Sequence, residues 1–248
     1  MDLKGKSVLI TGGSIGIGLQ LANTLLKEGA DVLVCGRNME ALEVAKQQYP
    51  RLEIAQCDVT DLEQVKALLQ TMKKLFGGID ILFNNAAIFR RFNILEDFPL
   101  NKQLEEIDIN FKGVVQVTNV FLKELLQSEE PVIVNLTSGL GYVPMTAAQI
   151  YSATKAAINS YTMSLRHQLR ETNARVVLLS PPVVDTRMNI DNPGSEGMKK
   201  ISPEAFANIS IKAIKKGKNE ILVGAISGLK TISRFMPGLA FKVINKAS

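Results

Sequence analysis

The stretch that decides the fold is Ser7–Gly18, which reads S-V-L-I-T-G-G-S-I-G-I-G. Its first five residues, Ser7–Thr11, form a mostly apolar run that is typical of a strand buried on both faces. Four glycines follow, and an amphipathic pattern with helical spacing begins at Gly16. Glycine lets the backbone turn tightly and approach a pyrophosphate, to which the next helix offers free N–H groups. The stretch therefore predicts a strand, a phosphate-binding loop and a helix; a glycine turn without a ligand is the alternative.

Outward from this stretch, short apolar runs alternate with longer amphipathic ones. The later predicted strands are Asp31–Cys35, Leu52–Gln56, Ile79–Asn84, Val132–Leu136, Arg175–Leu179 and Glu220–Val223. The predicted helices are Gly16–Glu28, Met39–Tyr49, Leu62–Phe76, Lys102–Gln127, Ile150–Thr172 and Pro203–Lys216. Such alternation indicates right-handed βαβ units. We therefore predict one α/β domain over residues 1–248, a doubly wound parallel sheet with helices on both faces.

Two segments fall outside this alternation. Residues 187–202 are polar and include Asn192-Pro193-Gly194, so we expect a mobile lid over the substrate. Residues 226–248 form a C-terminal extension that is apolar, carries spaced basic residues and is interrupted at Pro237-Gly238. We expect this extension to pack on the domain or on an oligomer partner. The alternative is an amphipathic segment that lies on a membrane surface.

Composition narrows the function classes. The 248 residues are 46% hydrophobic and carry a net charge of +5. The N-terminal apolar stretch is too short for a signal peptide, and we expect a cytoplasmic protein. We interpret the excess of basic residues near the C-terminus as a solvated face, so we expect neither nucleic acid nor a membrane as partner. Cys35 and Cys57 are predicted to be buried and reduced, and with His167 as the single histidine we expect no metal site.

Residues that directly follow the strands face the ligand edge of such a sheet. The second strand ends in Cys35-Gly36-Arg37-Asn38, without the carboxylate that would bind the adenosine ribose of NAD. The planar guanidinium of Arg37 suits a 2′-phosphate, which favours NADP over NAD. Alternatively, Arg37 turns to solvent and Asn38 binds the ribose hydroxyl of NAD. Asp58 could accept a hydrogen bond from adenine, or cap the next helix, for which Asp61 is better placed.

A candidate acid/base group lies on the helix near residue 150. Tyr151 and Lys155 are four residues apart and so share one helical face. A cation within about 4–6 Å lowers the pKa of a phenol, which can then exchange a proton with an alcohol or carbonyl oxygen. Ser138, after the fifth strand, could hold that oxygen, and Asn110, in the preceding long helix, could hold a relay water. Each residue alone has a plain structural explanation, but their joint placement beside the glycine loop predicts a hydride-transfer site.

These residues resemble the short-chain dehydrogenase/reductase family over about residues 5–225. The resemblance is carried by T-G-x-x-x-G-x-G at Thr11–Gly18, N-N-A-A at Asn84–Ala87, the tetrad Asn110, Ser138, Tyr151 and Lys155, and P-P-V-V-D-T at Pro181–Thr186. Ala87 and Pro182 stand where the family pattern has glycine. Arg166–Leu169, Pro181–Thr186 and Met236–Asn245 further resemble the bacterial DltE-type branch.

The resemblance implies a Rossmann-type fold and an NADP-dependent oxidoreductase that acts on a carbonyl or secondary alcohol. It implies that Tyr151 is the proton donor or acceptor and that Lys155 lowers its pKa and binds the nicotinamide ribose. It also implies that Ser138 orients the substrate and that Asn110 anchors a relay water. The implied cofactor-binding residues are Gly12, Ser14, Ile15, Gly16, Ile17, Gly18, Arg37, Asn38, Asp58, Val59, Asn85, Ala86, Tyr151, Lys155, Pro181, Val184 and Thr186. The rival hypothesis is a dinucleotide-binding sensor or scaffold without chemistry, against which the intact tetrad argues.

The two longest predicted helices indicate self-assembly. Lys102–Gln127 and Ile150–Thr172 carry more apolar residues than one sheet face needs, for example Val114, Val115, Val117, Val120, Phe121 and Leu122. We expect a homodimer or homotetramer with two-fold symmetry, which the resemblance also implies. Arg90 and Arg91 follow the fourth strand and either attract an acidic substrate or form a solvated pair.

Overall fold

A computed structural model describes residues 1–190 and 200–246 of the chain. The strands in this part are β1 (Ser7–Thr11), β2 (Asp31–Gly36), β3 (Glu53–Gln56), β4 (Ile81–Asn84), β5 (Val132–Leu136), β6 (Arg175–Ser180) and β7 (Glu220–Leu222). They form one sheet in the order β3-β2-β1-β4-β5-β6-β7. All the neighbouring strands pair in parallel. The order reverses between β1 and β4, and in such sheets a ligand crevice opens there, beyond the carboxyl ends of the strands.

Helices connect the strands. They are α1 (Gly16–Lys27), α2 (Met39–Gln48), α3 (Leu62–Phe76), α4 (Leu100–Ile107), α5 (Gly113–Leu125), α6 (Gln149–Gln168), α7 (Arg187–Ile190), α8 (Pro203–Lys215), α9 (Ile226–Phe235) and α10 (Pro237–Ile244). A π-helical turn, Asp108–Lys112, joins α4 to α5, and short 3₁₀ turns lie at Gly139–Gly141 and Thr146–Ala148. The predicted doubly wound α/β fold is therefore confirmed.

Alternation along the strands builds a core on each face of the sheet. On β1, Val8 and Ile10 join a buried cluster with α1, α2 and α8, whereas Leu9 joins a second cluster with α3, α5 and α6. All three side chains are fully buried. Burying an aliphatic side chain contributes roughly 1.5–3 kcal/mol, so both faces hold the strand in register. The strand that carries the glycine loop is thus fixed from two sides.

The prediction of one continuous helix over Lys102–Gln127 is wrong. It is divided into α4, the π-helical turn and α5. A π-helical turn inserts an extra residue and often lies at a functional site. Here it contains Asn110, whose amide hydrogen-bonds the backbone of Ile88 across the loop after β4. This long-range contact accounts for the interruption, which helical periodicity alone could not indicate.

The apolar residues offered as evidence of assembly are mostly used inside the chain. Val114, Val117 and Phe121 are buried, so they do not form a surplus surface. They face inward because α5 packs against the sheet and α3. The exposed apolar side chains on these helices include Leu100, Leu104 and Ile107 on α4 and Met163 on α6. An interface on this side would therefore use α4 and α6.

The C-terminal extension forms two helices, α9 and α10. Its last described turn contacts the loop after β5, where the Asn245 side chain donates to the Pro144 carbonyl oxygen at 3.1 Å. Ile244 packs beside a buried cluster that contains Tyr151. No helix in residues 1–190 or 200–246 is long and apolar enough to cross a bilayer. The lid predicted over about residues 187–202 falls largely on 191–199, outside the described residues.

Candidate active site

The loop between β1 and α1 approaches its own helix closely. Gly12 has φ +64°, a conformation that side chains rarely adopt. A Cβ atom added at Gly18 would lie 2.4 Å from the Gly12 carbonyl oxygen, so that position has no room for a side chain. In the described part of the chain, no side chain caps the N-terminus of α1, whereas Asn38 and Asp61 cap α2 and α3. The first N–H groups of α1 therefore stay available to an anion.

Asn85 and Thr11 join the glycine loop to the end of β4. The Asn85 Nδ2 donates to the carbonyl oxygens of Thr11 and Gly12, both at 2.8 Å. In return, the Thr11 hydroxyl oxygen accepts from the backbone N–H groups of Asn85 and Ala86. These bonds cross the point where the strand order reverses. They make the two loops one rigid edge of the site.

A cleft of about 340 Å³ runs along this edge. It is lined by every residue implied as cofactor-binding except Val184. The Val184 side chain is buried in the core, and its backbone bridges to Ile201. Burial in the core explains why Val184 lies outside the lining, although the motif around it, with Pro181 and Thr186, reaches the cleft.

Several lining residues were not among those implied as cofactor-binding. They are Gly36, Cys57, Ala87, Ile88, Ile109, Leu136, Thr137, Arg187 and Met188. Most of them end a strand or lie within a few residues of its end, so their position at the ligand edge was the signal available. Ala87, one of the two departures from the family pattern, lines the cleft, whereas Pro182 lies beside Gly224.

Arg37, after β2, is held by a carboxylate from a distant helix. Its Nη1 lies 3.1 Å from Glu105 Oε1 on α4 and 4.0 Å from Asp58 Oδ2. Glu105 also pairs with Arg90, at 2.6 Å, and with Lys102, at 3.7 Å. Partial burial tends to raise the pKa of Glu105, but Arg37 and Arg90 outweigh it and lower the pKa below its ordinary value. Cations thus outnumber carboxylates at this end of the cleft.

Asn38 and Asp58 make local contacts. The Asn38 side chain caps α2 by accepting from the Ala41 N–H at 3.0 Å. Asp58 Oδ1 accepts from the backbone N–H and the hydroxyl of Thr60, which forms a turn after β3. Asp61 caps α3, the role for which its position favoured it over Asp58. Both Asn38 and Asp58 still line the cleft.

Tyr151 and Lys155 lie buried on the cleft side of α6. The Lys155 Nζ donates to the Leu136 carbonyl oxygen at 3.0 Å and lies 5.5 Å from the centre of the Tyr151 ring. The Phe89 ring meets the Tyr151 ring edge-on, with 4.8 Å between centres. Helical spacing thus brings the pair together as predicted, and the loop after β4 holds the phenol from the other side.

The pKa of Tyr151 moves in the direction opposite to the expectation. Burial raises it to about 12, although a hydrogen bond with Ser138 works against the rise. Burial also lowers the pKa of Lys155 to about 8, while the negative charge of Glu106 acts to raise it. Desolvation of the phenol is therefore stronger than the attraction of the nearby lysine. At neutral pH, Tyr151 is a protonated phenol that is suited to donating a proton.

Ser138 and Asn110 are the other two residues of the tetrad, and hydrogen bonds to the backbone hold both side chains. The Ser138 Oγ accepts from the Leu140 N–H at 3.2 Å, and its hydroxyl acts to lower the pKa of Tyr151. Asn110 is fully buried in the π-helical turn. Its Oδ1 accepts from the Ile88 N–H and its Nδ2 donates to the Ile88 carbonyl oxygen, both at 2.8 Å. The Asn110 side chain therefore holds the loop that carries Phe89.

Comparison with known proteins places this geometry in a family. Residues 6–196 match the family described as short chain dehydrogenase. An uncharacterized oxidoreductase of Bacillus subtilis (strain 168), named DltE, is 38% identical over 237 residues, which cover 94% of each chain. The chain belongs to the short-chain dehydrogenase family. The expected likeness to the DltE-type branch is thereby confirmed, and with it the oxidoreductase class.

Further similarities span the whole short-chain dehydrogenase fold. An uncharacterized oxidoreductase of Staphylococcus aureus (strain USA300) is 32% identical over 228 residues, covering 89% of this chain and 97% of its own. A short chain dehydrogenase from Burkholderia cenocepacia, solved in complex with NADP, is 26% identical and superposes with a TM-score of 0.86 over 98% of this chain and 99% of its own. A relative from Burkholderia phymatum, solved in complex with NAD, is 24% identical with a TM-score of 0.85 over 96% of each chain.

Glu106 is a residue of this short-chain dehydrogenase that sequence reasoning missed. It is fully buried on α4, and its Oε1 accepts from the Arg90 N–H at 3.1 Å. Burial raises the pKa of Glu106 to about 7. The available signal was its spacing, since it precedes Asn110 by four residues. Arg90 itself is bound to Glu105 and to the Lys102 carbonyl oxygen, and Arg91 lies over the Phe89 ring at 5.9 Å.

Proposed function

We propose that this short-chain dehydrogenase transfers a hydride between NADP(H) and a carbonyl or secondary alcohol, with Tyr151 as general acid/base. One observation carries the proposal: the buried Tyr151 and Lys155 line the same cleft as the glycine loop. A proton-transfer group and a dinucleotide loop on one cleft suit a reaction in which hydride and proton move together. A sensor or scaffold without chemistry would not need a buried lysine beside a buried phenol.

The cleft residues fit a dinucleotide. The uncapped N-terminus of α1 suits a pyrophosphate, and a side chain at Gly18 would collide with the Gly12 carbonyl oxygen. The cleft continues from Arg37 and Asp58 at one end to Tyr151 and Lys155 at the other. When bound, the dinucleotide supplies or accepts the hydride. The glycine loop would hold its pyrophosphate, and the β2 and β3 ends its adenosine.

Each of the four tetrad residues has its own role in the proposed reaction. Tyr151 donates its phenolic proton to the carbonyl oxygen during reduction and takes one from the alcohol during oxidation. Ser138, whose hydroxyl acts on the pKa of Tyr151, holds that oxygen beside the phenol. Lys155 supplies a fixed cation and a ribose contact. Asn110 fixes the loop with Phe89, and its turn would anchor a relay water.

We also propose that NADP is preferred to NAD. Gly36 ends β2 without a carboxylate that would repel a 2′-phosphate, and Arg37 follows it at the cleft wall. Arg37, Arg90 and Lys102 surround Glu105, so three cations share the Glu105 and Asp58 carboxylates beside this end of the cleft. A phosphate would compete with Glu105 for the Arg37 guanidinium. The two similar solved structures hold NADP in one case and NAD in the other, so the proposed preference rests on Gly36 and Arg37.

The experiment that tests the function measures NADPH oxidation and NADP reduction with panels of carbonyls and alcohols. Tyr151→Phe should retain fold and NADPH binding but lose roughly 10²–10⁴-fold in turnover. Tyr161→Phe is the matched control, because Tyr161 lies on the same helix and packs near Phe111 and Val114, away from the cleft. Wild-type binding of NADPH without turnover of any substrate would support the scaffold hypothesis instead.

A further inference from the structure

Glu106 is a buried carboxyl group that has no part in the roles proposed for the tetrad. Its side chain is fully buried, and only Oε1 is hydrogen-bonded, to the Arg90 N–H. Oε2 is buried and has no hydrogen-bond partner in the described part of the chain. A buried carboxylate with an unpaired oxygen is costly to keep. Because burying this oxygen costs free energy, we expect Glu106 to have a role beyond packing.

Glu106 and Asn110 hold the same loop from the same side. Asn110 binds both backbone polar groups of Ile88, and Glu106 binds the N–H of Arg90. Phe89 lies between these two attachment points, with its ring edge-on to Tyr151. The Glu106 carboxyl group is therefore fixed within the wall that encloses the phenol.

The charged groups that face Glu106 come from two neighbouring elements. From the loop after β4 comes Arg90, whose guanidinium is already paired with Glu105. The other element is α6, which packs against the α4 helix that carries Glu106. Its Lys155 and its phenol Tyr151 are both buried, and the Glu106 charge acts on both. It raises the pKa of Lys155 and adds to the rise in the pKa of Tyr151. Among the described residues, no carboxylate forms an ion pair with Lys155 within 4.0 Å, so Glu106 acts through space.

We propose that Glu106 is the buried counter-ion of Lys155, a positioning residue that sets the pH range in which the Tyr151–Lys155 pair works. This inference rests on the proposed function, because it treats these two groups as the proton-transfer pair. Ionised Glu106 keeps Lys155 cationic and keeps the proton on Tyr151; once protonated, it does neither. Because burial raises the pKa of Glu106 to about 7, the change falls near neutral pH.

Glu106→Gln tests the proposal, since it keeps the side-chain length and an oxygen for the Arg90 N–H. In carbonyl reduction, the alkaline limb of the pH profile should move to lower pH by on the order of one unit, because Lys155 and Tyr151 lose the charge that retains their protons. Below about pH 6 the two proteins should behave alike, because the wild-type carboxyl group is then protonated. Glu106→Asp, which keeps the charge, should restore most of the wild-type limb.

The matched control is Asp108→Asn. It removes the same charge two residues away, but Asp108 is half-exposed and pairs with Lys112 at 3.8 Å. Its pH profile should not move. An equal loss of turnover at every pH in Glu106→Gln, with the limb in place, would overturn the proposal and leave Glu106 a purely structural role.

A readout without turnover separates this inference from the proposed function. A carboxyl group whose pKa rises from 4.5 to about 7 on folding binds its proton more tightly in the folded state. The free energy of unfolding of the wild type, relative to Glu106→Gln, should therefore fall as pH rises between those values. If the wild type shows no turnover but its free energy of unfolding falls with pH in this way, the proposed function is refuted and the proposed ionisation of Glu106 is supported. A difference independent of pH would refute the ionisation itself.

Discussion

At the scale of single residues, neighbours in sequence have unlike environments. Glu105 and Glu106 are adjacent and chemically identical, yet Glu105 binds Arg37 at the cleft wall and Glu106 is buried against the loop after β4. Helical geometry points them in different directions. The sequence places Arg37 after β2, but its partner is 68 residues away. Such pairings depend on tertiary contacts and so could not be predicted, whereas the i,i+4 pairing of Tyr151 with Lys155 could.

The cofactor preference belongs to this scale. Wild-type protein should bind NADPH at least about tenfold tighter than NADH, because a charge-assisted contact is worth about 1.5–3 kcal/mol. Arg37→Ala should remove most of that gap and leave NADH binding unchanged. Glu105→Gln should widen the gap, because it frees Arg37 from its carboxylate partner. Fluorescence titration with both reduced cofactors measures each affinity, and a gap that Arg37→Ala leaves intact would contradict this role of the arginine.

At the scale of elements, apolar periodicity predicted the sheet well. The bounds of β1, β5 and α3 agree with the prediction to the residue, because each is framed by local signals such as Asp61 before α3 and Gly77 after it. The division of Lys102–Gln127 was missed, since the bonds of Asn110 to Ile88 cross 22 residues. The extension was recognised as apolar and basic, but its two helices were not predicted because Pro237 suggested an interruption instead of a new first turn.

The glycine loop between β1 and α1 leads to a testable prediction at the scale of elements. Gly18→Ala should weaken NADPH binding at least about tenfold and lower stability by roughly 1–3 kcal/mol, because its Cβ would press on the Gly12 carbonyl oxygen. Gly228→Ala is the control: it also changes a helical glycine, but no atom lies within 4 Å of its added Cβ. Calorimetric titration and thermal unfolding measure the two effects. Unchanged affinity in Gly18→Ala would show that the loop can shift without loss of the site.

At the scale of the whole molecule, the helices on one face of the sheet offer a candidate surface for assembly. On the α3–α5–α6 side, Leu100, Leu104, Ile107 and Met163 expose apolar side chains on α4 and α6. We expect the homodimer or homotetramer to form through this side, where α4 and α6 can pack against their symmetry mates. Such an interface would add support to the helices that carry Glu106 and Tyr151. Assembly and the geometry of the site would then be linked.

Substitution of one exposed residue tests the assembly. Met163 is 66% exposed on α6, so Met163→Glu should shift an oligomer toward monomer in light scattering at micromolar concentration. Val44→Glu places the same charge at a residue that is 57% exposed on α2, which packs on the opposite face of the sheet. That control should leave the mass unchanged. A wild-type protein that is already monomeric would contradict the expectation.

The loop after β4 is held in a way that bears on how new specificities arise. Asn110 and Glu106 bind its peptide groups, which every residue except proline offers in full, and not its side chains. Exchanging the side chains of Ile88 or Arg90 would leave these anchors in place, because neither anchor depends on residue type. Ile88 can therefore change while the phenol and ammonium groups stay fixed, whereas Phe89 contacts the phenol and Arg90 binds Glu105 through their side chains. In natural divergence and in directed evolution, a substitution at such a position would change the substrate specificity of the enzyme without moving its proton-transfer groups.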